Sequence, residues 1–525
     1  MSFNWRYTYF VSIGLRFILA LSNSYIHPDE HFQNFEVITH RILGFSTSIP
    51  WEFTSDSPAR SLGPLYLIYG PVLYAIKVFG LQFSPLQIMY LFRIIFLVVS
   101  WLVIDISIHK LLPTRPERIK GIFFVSTSYV VSVYQSHCFS NSVETLVLIL
   151  CVLIIEELRY HTNFEVPTQA NILLGLLGGL VSFGIFNRIT FPAFLIIPSY
   201  FVVKFIWYSK SIIRSILSGL IGFILPTSLF ILIDTIGFGH LDRVLSDPLQ
   251  FTNYVITPWN SLVYNTNASN LAIHGIHPYY THLLINLPQL VGPAGLIFLF
   301  YKRNKYYTTI PFLTAVSGVV FLSIVPHQEL RFLIPIVPLL CCCFDLEKFS
   351  EIGTSPTQSP KLMTFLMTLW YGFNIILAFL MGTFHQGGVL PALDYFHETQ
   401  KENTSMAQVW WRTYSPPSWL LGSTSLQIVT HTSHLTKDTL PTQGTVLVDT
   451  MGSDYQHVLD TVKELKSTGF EKVYLVTPIS SYLIDVKNKH DYEAIWNYTT
   501  HLDLDHIDVS DTRSLTPGLG IYELL

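Results

Sequence analysis

Charged residues are scarce in this chain of 525 residues: Asp, Glu, Lys and Arg make up 13%, whereas soluble domains contain about 25%. Half of the residues are hydrophobic, and the mean hydropathy is +0.42. No long basic run is present, which argues against nucleic-acid binding. The composition therefore favours a protein that buries its apolar surface in lipid over a soluble one.

Cysteine is also rare, and its spacing fits neither a CxxC motif nor a zinc finger. Free cysteine usually packs as a small hydrophobic residue, so we predict no metal or redox centre at Cys138, Cys151, Cys341, Cys342 and Cys343. Internal repeats and low-complexity tracts are absent from the sequence as well. The first apolar stretch, from Tyr9 to Leu21, lacks a small-residue cleavage site, which predicts an uncleaved first membrane span.

What the sequence does contain is a series of apolar windows, most of them near the roughly 20 residues that a membrane helix needs. We predict about eleven spans, at residues 7–22, 87–108, 120–136, 142–158, 170–187, 190–207, 212–233, 283–300, 307–325, 331–345 and 362–383. A further apolar stretch, 64–80, is interrupted by Gly63-Pro64 and Gly70-Pro71. We predict that this stretch lies on the membrane rather than crossing it.

The distribution of basic residues predicts the orientation of these spans. Cytoplasmic loops are enriched in Lys and Arg, and the basic loops fall on one side if the N-terminus is cytoplasmic. The segments on the opposite, luminal side are then 23–85, 137–141, 234–282, 326–330 and everything after about 384. All three N-glycosylation sequons are predicted on that side, at Asn267, Asn403 and Asn497.

The C-terminal region is more polar and contains no predicted span. Its segments Thr445–Asp449, 455–467 and Lys472–Thr477 have the patterns of a strand, an amphipathic helix and a strand. The sequence thus predicts an α-helical polytopic membrane domain at 1–383 and a luminal C-terminal region at 384–525 that contains a small α/β domain.

Polar residues that suggest chemistry lie at the predicted luminal ends of the spans. The first luminal loop begins His27-Pro28-Asp29-Glu30-His31. One interpretation is structural, with Pro28 ending a helix and Asp29 capping the next. Capping accounts for Asp29 but not for the surrounding cluster of His27, His31 and Gln33, so a structural role and a functional role for this loop are both open.

Further polar residues recur at the same predicted face. Asn141 and Glu144 begin one span, where they fit either a helix N-terminus or a site. Arg331 at the start of another span could extend towards lipid headgroups or, with His327, hold a lipid phosphate by charge-assisted hydrogen bonds. The same face also carries Arg188, Asp234 and Glu329.

Two patterns suggest metal binding only weakly. His274, His277 and His282 lie close together, but the carboxylate or cysteine companions of a zinc site are missing. Asp503-Leu504-Asp505 is a DxD pair of the kind that holds a metal-bound sugar nucleotide, although two acids at this spacing are common by chance. We predict no metal site and no cofactor.

Three luminal motifs together resemble family 22 glycosyltransferases, the mannosyltransferases that use dolichyl-phosphate mannose. These are HPDE at His27–Glu30, N-[ST]-x-E-T at Asn141–Thr145 and H-[KQ]-E-x-R-F at His327–Phe332. The segments at 274–293 and 385–391 are similar to those of the branch that adds the fourth mannose to glycosylphosphatidylinositol (GPI) precursors.

The resemblance implies a GT-C membrane fold in the endoplasmic reticulum, with a luminal site and a GPI precursor glycolipid as acceptor. It also implies an inverting transfer in which Asp29 removes the acceptor proton and Glu30 orients Asp29 or the donor. His327, Arg331 and Arg188 would then stabilise the phosphate leaving group.

Other functions remain open at the level of the sequence. Within the family, these are transfer of the third GPI mannose and mannosylation of dolichol-linked oligosaccharides. A multispan transporter would place polar groups near the bilayer midplane, and a lipid-binding scaffold would tolerate loss of Asp29. Neither the partner subunits nor the oligomeric state follow from the sequence.

Overall fold

The computed structural model describes residues 5–54, 56–160, 167–273, 275–350, 359–399, 405–425, 427–430, 445–508 and 510–525. It is mainly α-helical, with one β-sheet near the C-terminus. The chain forms two compact units, each built from separate stretches of sequence. The first unit comprises Met1–Phe17, Trp51–Ile68 and Ile95–Ile376, and the second comprises Ile18–Pro50, Tyr69–Ile94 and Leu377–Leu525.

The α-helices of the N-terminal half are α1 Trp5–Ala20, α2 Glu36–Leu43, α3 Gly63–Ile68, α4 Gly70–Val78, α5 Pro85–Leu111, α6 Arg115–Thr127, α7 Tyr129–Val133, α8 Ser140–Tyr160, α9 Pro167–Asn187, α10 Ser199–Tyr208 and α11 Ile212–Gly237. Those that follow are α12 Leu241–Ser246, α13 Thr257–Thr266, α14 Ala268–Ile273, α15 Leu287–Phe300, α16 Ile310–Ser323, α17 Val337–Cys342, α18 Glu347–Ser350, α19 Ser359–Phe379, α20 Val389–Thr399, α21 Tyr455–Ser467 and α22 Ile479–Asp485.

Tighter and wider helical turns complete the helical structure. The 3-10 turns are Trp51–Phe53, Phe191–Phe194, Phe251–Asn253, Leu330–Ile336, Ser418–Leu421, Lys489–Asp491 and Thr512–Leu515. The π-helical turns are His31–Phe35, His282–Asn286 and Leu380–Phe384. Turns of the π type are frequent at functional sites. The first of these turns follows the motif at 27–30, the second lies within the segment 274–293, and the third directly precedes the segment 385–391.

Each of the eleven predicted windows contains helix. Among the described residues, five helices are long and apolar enough to cross a membrane, at Pro85–Leu111, Gln169–Asn187, Ile212–Gly237, His282–Phe300 and Lys361–Phe384. The remaining windows contain shorter, interrupted or more charged helices. Ser128, for example, has extended backbone between α6 and α7, and the predicted break near Gly70 divides 64–80 into α3 and α4.

Helices α9 and α11 pack through glycines in the first unit. A Cβ atom on Gly178 would lie 2.3 Å from the carbonyl oxygen of Gly219, and one on Gly222 would lie 2.0 Å from that of Gly175. Small residues allow membrane helices to approach this closely. Elsewhere on α11 many apolar side chains are exposed, such as Ile213, whose exposed fraction is 74%. Such a surface fits lipid better than water.

The second unit contains a six-stranded sheet, whose strands are β1 Met406–Trp410, β2 Gln427–Thr430, β3 Thr445–Asp449, β4 Lys472–Pro478, β5 Tyr492–Tyr498 and β6 Leu519–Leu524. Their order is β2-β3-β1-β4-β6-β5. Strands β2, β3, β1 and β4 are parallel, and β6 is antiparallel to β4 and β5. The predicted strand, helix and strand at 445–477 are confirmed as β3, α21 and β4.

Strands β1, β3 and β4 are almost entirely buried on both faces, as is usual for parallel sheets. Apolar side chains of α21, including Val458, Val462 and Leu465, pack in one core with β1, β3 and β4. On α20, Phe396 contacts Trp410 and Tyr474 of the sheet. The central strand β1 is therefore held in a fixed position, and so is the chain that leaves its carboxyl end.

We predict that Gly222→Ala destabilises the first unit, because the new methyl group overlaps the α9 backbone and the two helices must separate. Overpacking of this kind typically costs about 1–3 kcal/mol. Thermal unfolding of the purified protein in detergent measures the effect. Gly219→Ala is the matched control on the same helix, since its Cβ would lie 3.8 Å from the nearest atom, the Leu174 carbonyl oxygen. Equal melting temperatures for the two variants would contradict the packing argument.

Glu36 of α2 gives the second unit a pH-dependent stability. Its carboxylate is fully buried and accepts hydrogen bonds from Ser48 N (3.2 Å), Ser418 Oγ (2.9 Å) and Trp419 N (3.3 Å). Burial nevertheless raises the pKa of Glu36 from 4.5 to about 8. Because the folded pKa lies above the unfolded one, the stabilisation is complete below pH 4.5 and is lost as the pH rises through about 8.

The melting temperature of the wild type should therefore fall between pH 5 and pH 8.5 by an amount equivalent to a few kcal/mol, roughly 1.4 kcal/mol per unit of pKa shift. Glu36→Gln keeps the shape of the side chain without the charge and should flatten this profile. Glu493→Gln, at an exposed position of β5, serves as the control and should leave it unchanged. Parallel profiles for the wild type and Glu36→Gln would refute the role of the buried carboxyl.

Candidate active site

The HPDE motif begins a helical turn in the second unit, shortly after α1 ends. The backbone N–H of Asp29 donates to Nδ1 of His27 (3.1 Å), and the N–H of His31 donates to the carbonyl of Pro28 (3.0 Å). The ring of His27 therefore caps this backbone N–H at the start of the turn, a role that the sequence suggested for Asp29.

Glu30 is held by a buried arginine of α5. Arg93 Nε donates to Glu30 Oε1 (2.9 Å), and Arg93 Nη2 donates to Oε2 (2.8 Å). The same guanidinium donates to the carbonyl oxygens of Ser22 and Ser24, both at 2.9 Å. Both charged side chains are 0% exposed. A bidentate pair of this kind fixes geometry as well as charge, so Glu30 holds the loop in place.

The two adjacent carboxylates thus have different environments. The Asp29 side chain is 17% exposed, and its Oδ1 lies 3.5 Å from Nδ1 of His27, itself 34% exposed. Of the two acids, only Asp29 is open to solvent. The carboxylate of Asp29 is therefore partly accessible to solvent, whereas that of Glu30 is enclosed by Arg93.

Sequence reasoning did not identify Arg93. The residue lies inside the predicted span 87–108, and a charged residue within an apolar span is itself a signal of a buried partner or a functional site. What the sequence could not provide was the partner, because Glu30 is 63 residues away along the chain.

The C-terminal region of the second unit packs against the motif through the segment 411–421. Trp419 Nε1 donates to His31 Nδ1 (3.1 Å), and its ring stacks on Phe35 with centroids 4.6 Å apart. The hydroxyl of Tyr25 donates to the carbonyl of Ser415 (2.8 Å). Together with the Glu36 hydrogen bonds described above, these contacts line the HPDE turn with residues from the far end of the chain.

In the first unit, the HQELRF motif is organised around the ring of Phe332. The guanidinium carbons of Arg188 and Arg331 lie 5.1 and 5.7 Å from the ring centroid, and His327 meets the ring edge-on at 5.7 Å. Glu329 forms ion pairs with both His327 (2.7 Å) and Arg331. The three predicted phosphate-binding residues therefore lie around one phenyl ring, with a single carboxylate between two of them.

Arg188 also connects this cluster to the Asn141–Thr145 motif. Its Nη1 donates to Ser140 Oγ (3.0 Å) and Asn141 Oδ1 (3.3 Å), and its Nε lies 3.5 Å from Glu144 Oε2. Asn141 Nδ2 donates to the same Glu144 oxygen at 3.2 Å. The structure thus brings two of the three sequence motifs together in the first unit.

The 274–293 segment is bound to the same region. The N–H of His277 donates to the carbonyl of Pro326 (2.8 Å), and the N–H of Gln328 donates to His277 Nδ1 (3.3 Å). The side-chain oxygen of Gln328 accepts from the N–H of His282 at 2.9 Å. His277 therefore has a structural contact beside His327, while His274 lies outside the described residues.

The hydrogen bond to Glu329 is the main reason that the pKa of His327 is raised above its ordinary value. His327 also contacts the carbonyl of Gly275 through Nδ1 (3.2 Å). The imidazolium consequently persists to higher pH than that of a free histidine, which suits a group that binds an anion.

Two other predicted residues have structural contacts. Asp234 is fully buried, and its carboxylate accepts hydrogen bonds from Leu62 N (2.7 Å), Ser61 Oγ (3.1 Å) and Thr257 Oγ1 (2.8 Å). Asp503 of the DxD pair accepts from Gln386 Nε2 (3.3 Å) and is bonded to His506 Nδ1 (2.6 Å). Both acids thus fix the chain around them.

Over the described ranges, no group of three or more His, Cys, Asp and Glu side chains is arranged to hold a metal ion. Two of the three sequons are exposed, at Asn267 and at Asn497 in β5. Asn403 lies outside the described residues.

The fold resembles that of ArnT, a protein of known structure. ArnT from Cupriavidus metallidurans, in a crystal structure with undecaprenyl phosphate, superimposes with a TM-score of 0.53 at 11% identity. The match covers 99% of this chain and 98% of that one. At this identity the likeness concerns the fold alone, which is the GT-C type implied by the sequence.

Sequence comparisons identify the family. The chain is 53% identical over 540 residues to GPI mannosyltransferase 4 of Debaryomyces hansenii, covering 100% of this chain and 99% of that protein. It is 48% identical over 532 residues to the protein of the same name from Candida albicans, again covering 100% and 99%. The model of the Alg9-like mannosyltransferase family matches residues 7–422, which contain all three motifs. This chain therefore belongs to the Alg9-like mannosyltransferase family.

Proposed function

We propose that this mannosyltransferase adds the fourth mannose to GPI precursors, taking it from dolichyl-phosphate mannose and joining it to the third mannose by an α-1,2 linkage. The observation that carries the proposal is the similarity, over the full length of the chain, to proteins named GPI mannosyltransferase 4. The environment of Asp29 supports it, because a partly exposed carboxylate beside a fixed one suits a single general base.

In the proposed reaction, Asp29 accepts the proton of the acceptor hydroxyl as its oxygen attacks C1 of the donor mannose. The bond from C1 to the phosphate oxygen breaks, and dolichyl phosphate leaves with the electron pair. The attack occurs opposite the leaving group, so a β-linked donor gives an α-linked product. One base is sufficient for this displacement, and a positioned base typically contributes about 10²–10⁴-fold. Glu30, held by Arg93, would position Asp29.

The leaving phosphate gains negative charge as the bond breaks, and fixed cations stabilise such charge. His327, Arg331 and Arg188 are the proposed phosphate-binding residues. Their shared contact with Phe332 supports this assignment, because two guanidinium groups and an imidazole lie around one ring. Glu329 would keep His327 protonated.

We further propose that the protein crosses the endoplasmic-reticulum membrane eleven times, with the motifs and the C-terminal region in the lumen. The exposure of Asn267 and Asn497 supports glycosylation of these sites. The enrichment of Lys and Arg in the predicted cytoplasmic loops supports the orientation.

Depletion of the protein from cells should cause GPI precursors with three mannoses to accumulate, as measured by mass spectrometry of intact lipids. Wild type should cure the defect. Asp29→Asn should not, since the amide cannot accept the proton, and its transfer rate should fall at least about 10²-fold. Thermal unfolding of the purified variant should match that of the wild type.

Each other outcome has a definite meaning. Accumulation of a two-mannose precursor would assign the chain to transfer of the third mannose. A normal GPI profile with defective dolichol-linked oligosaccharides would redirect the assignment to that pathway, and normal profiles of both would favour a transporter. Full activity of Asp29→Asn would remove the base assignment while leaving the choice of acceptor untouched.

Donor binding should weaken as the pH rises through the pKa of His327, because the neutral imidazole no longer attracts the phosphate. The KM for dolichyl-phosphate mannose, measured between pH 6 and pH 8.5, should rise in the wild type. His327→Gln should have a higher KM at low pH and lack this rise. His277→Gln is the control, since that ring receives a backbone N–H in the same region. A pH profile that survives in His327→Gln would exclude His327 as the titrating group.

A further inference from the structure

The chain leaves the carboxyl end of β1 at the edge of the sheet where parallel strands usually present ligand sites. Two backbone hydrogen bonds fix its exit: Trp411 N donates to Val476 O (3.0 Å) of β4, and Arg412 N donates to Met451 O (2.8 Å) just after β3. The segment 411–421 therefore starts from a rigid base in the core of the C-terminal region.

Left-handed backbone is concentrated around this exit. Among the described residues, four that are not glycine have positive φ. Three of them are Gln386 (50°), Arg412 (53°) and Met451 (48°). Met451 accepts the Arg412 N–H, and Gln386 accepts the N–H of Tyr414 two residues further on. Such conformations are unfavourable for residues other than glycine and persist where the surrounding structure enforces them, often at functional sites. The surrounding structure therefore enforces an unfavourable backbone conformation at Arg412, and this conformation sets the direction of the chain that follows.

Tyr414 is the residue of the 411–421 segment whose ring lies next to the HPDE turn. Its backbone N–H donates to Gln386 Oε1 (3.3 Å), and its hydroxyl is hydrogen-bonded to His385 Nε2 (3.1 Å). Its ring meets that of Tyr25 edge-on at 5.6 Å and lies 6.4 Å from the ring of His27. The half-buried Tyr414 is thus adjacent to the residue that caps the turn carrying Asp29.

Asp503, which the sequence marked as part of a DxD pair, contributes to this arrangement through Gln386. The amide of Gln386 donates to Asp503 and accepts from the backbone of Tyr414. The contacts of Asp503 therefore serve to orient a neighbouring side chain in the second unit.

We propose that Tyr414 is a specificity-determining residue that receives the acceptor sugar beside Asp29. This inference rests on the proposed function, in which Asp29 removes a proton from the acceptor. A general base must lie within about 3 Å of the hydroxyl that it deprotonates, so the acceptor ring has to occupy the space next to His27 and Asp29. The ring of Tyr414 lies 6.4 Å from the ring of His27, and a flat apolar ring with a polar edge suits the mixed surface of a sugar.

The proposal gives the C-terminal region a direct part in the reaction. The 411–421 segment brings Tyr414 from the sheet to the motif, while the contacts of Trp419 and Ser415 fix the segment on both sides of the HPDE turn. In this arrangement the region recognises the acceptor, and the phosphate-binding residues proposed above serve the donor.

The test is a kinetic comparison in membranes from cells that express only the variant. Transfer from dolichyl-phosphate [³H]mannose to a purified three-mannose GPI precursor is measured with each substrate varied in turn. Tyr414→Leu, which removes the flat ring but retains bulk, should raise the KM for the acceptor roughly 3- to 10-fold and leave the donor KM unchanged. Tyr414→Phe keeps the ring and should retain most of the acceptor affinity.

Tyr482→Leu is the matched control, because this tyrosine stacks on Tyr522 at 3.7 Å within the same unit. It should leave the acceptor KM unchanged. An unchanged acceptor KM in Tyr414→Leu, or an equal rise in donor KM, would overturn the proposal, as would a Tyr414→Phe variant that is as defective as Tyr414→Leu. A wild type that transfers no mannose to this precursor would refute the proposed acceptor instead. The comparison would then be made with the glycolipid that accumulates on depletion.

Discussion

The ion pair between Glu30 and Arg93 is the constraint on which the geometry of the HPDE turn depends. Four hydrogen bonds from one guanidinium hold the Glu30 carboxylate and the carbonyl oxygens of Ser22 and Ser24. Removing either charge would leave the other buried and unpaired, which typically costs 3–5 kcal/mol, in round terms. These hydrogen bonds attach the segment between α1 and the π-helical turn to α5. The position of Asp29, which lies in that segment, depends on them.

The pair also explains why two adjacent acids can have separate roles. Catalytic sites often place similar groups in unlike environments so that each takes one function. Here the difference is one of access: Glu30 is enclosed by its cation, whereas Asp29 shares a partly exposed position with His27. Around Phe332, Glu329 is engaged in ion pairs with His327 and Arg331.

The sequence predicts best what depends on local pattern. Uninterrupted apolar windows such as 212–233 correspond to long helices, and the strand, helix and strand at 445–477 occur as expected because alternation and amphipathic periodicity are local signals. Breaks such as the one at Ser128 are less visible, since no proline or glycine marks them. The three motifs can be recognised from short patterns in the sequence. The partners of Glu30, Glu36 and His31 cannot, because they come from distant parts of the chain.

Asp234 and His27 illustrate the same limit at the level of single residues. Their positions in predicted luminal segments were evident, yet the hydrogen bonds of Asp234 to Ser61 and Thr257 depend on how distant segments meet. The hydrogen bond from the Asp29 N–H to the His27 ring depends on the rotation of one side chain, which composition and spacing do not encode.

The length of chain between His31 and Trp419 has a consequence for biosynthesis. Trp419 follows His31 by 388 residues, so the ribosome must synthesise nearly all of the hydrophobic helices before the HPDE turn acquires its last neighbours. Arg93 is available to Glu30 early, whereas Ser415, Trp419 and Ser418, which bind Tyr25, His31 and Glu36, emerge only with the C-terminal region. A nascent chain that stalls before residue 411 would therefore carry the HPDE turn without these contacts. The surroundings of the turn are in this way completed only after the hydrophobic helices have been synthesised.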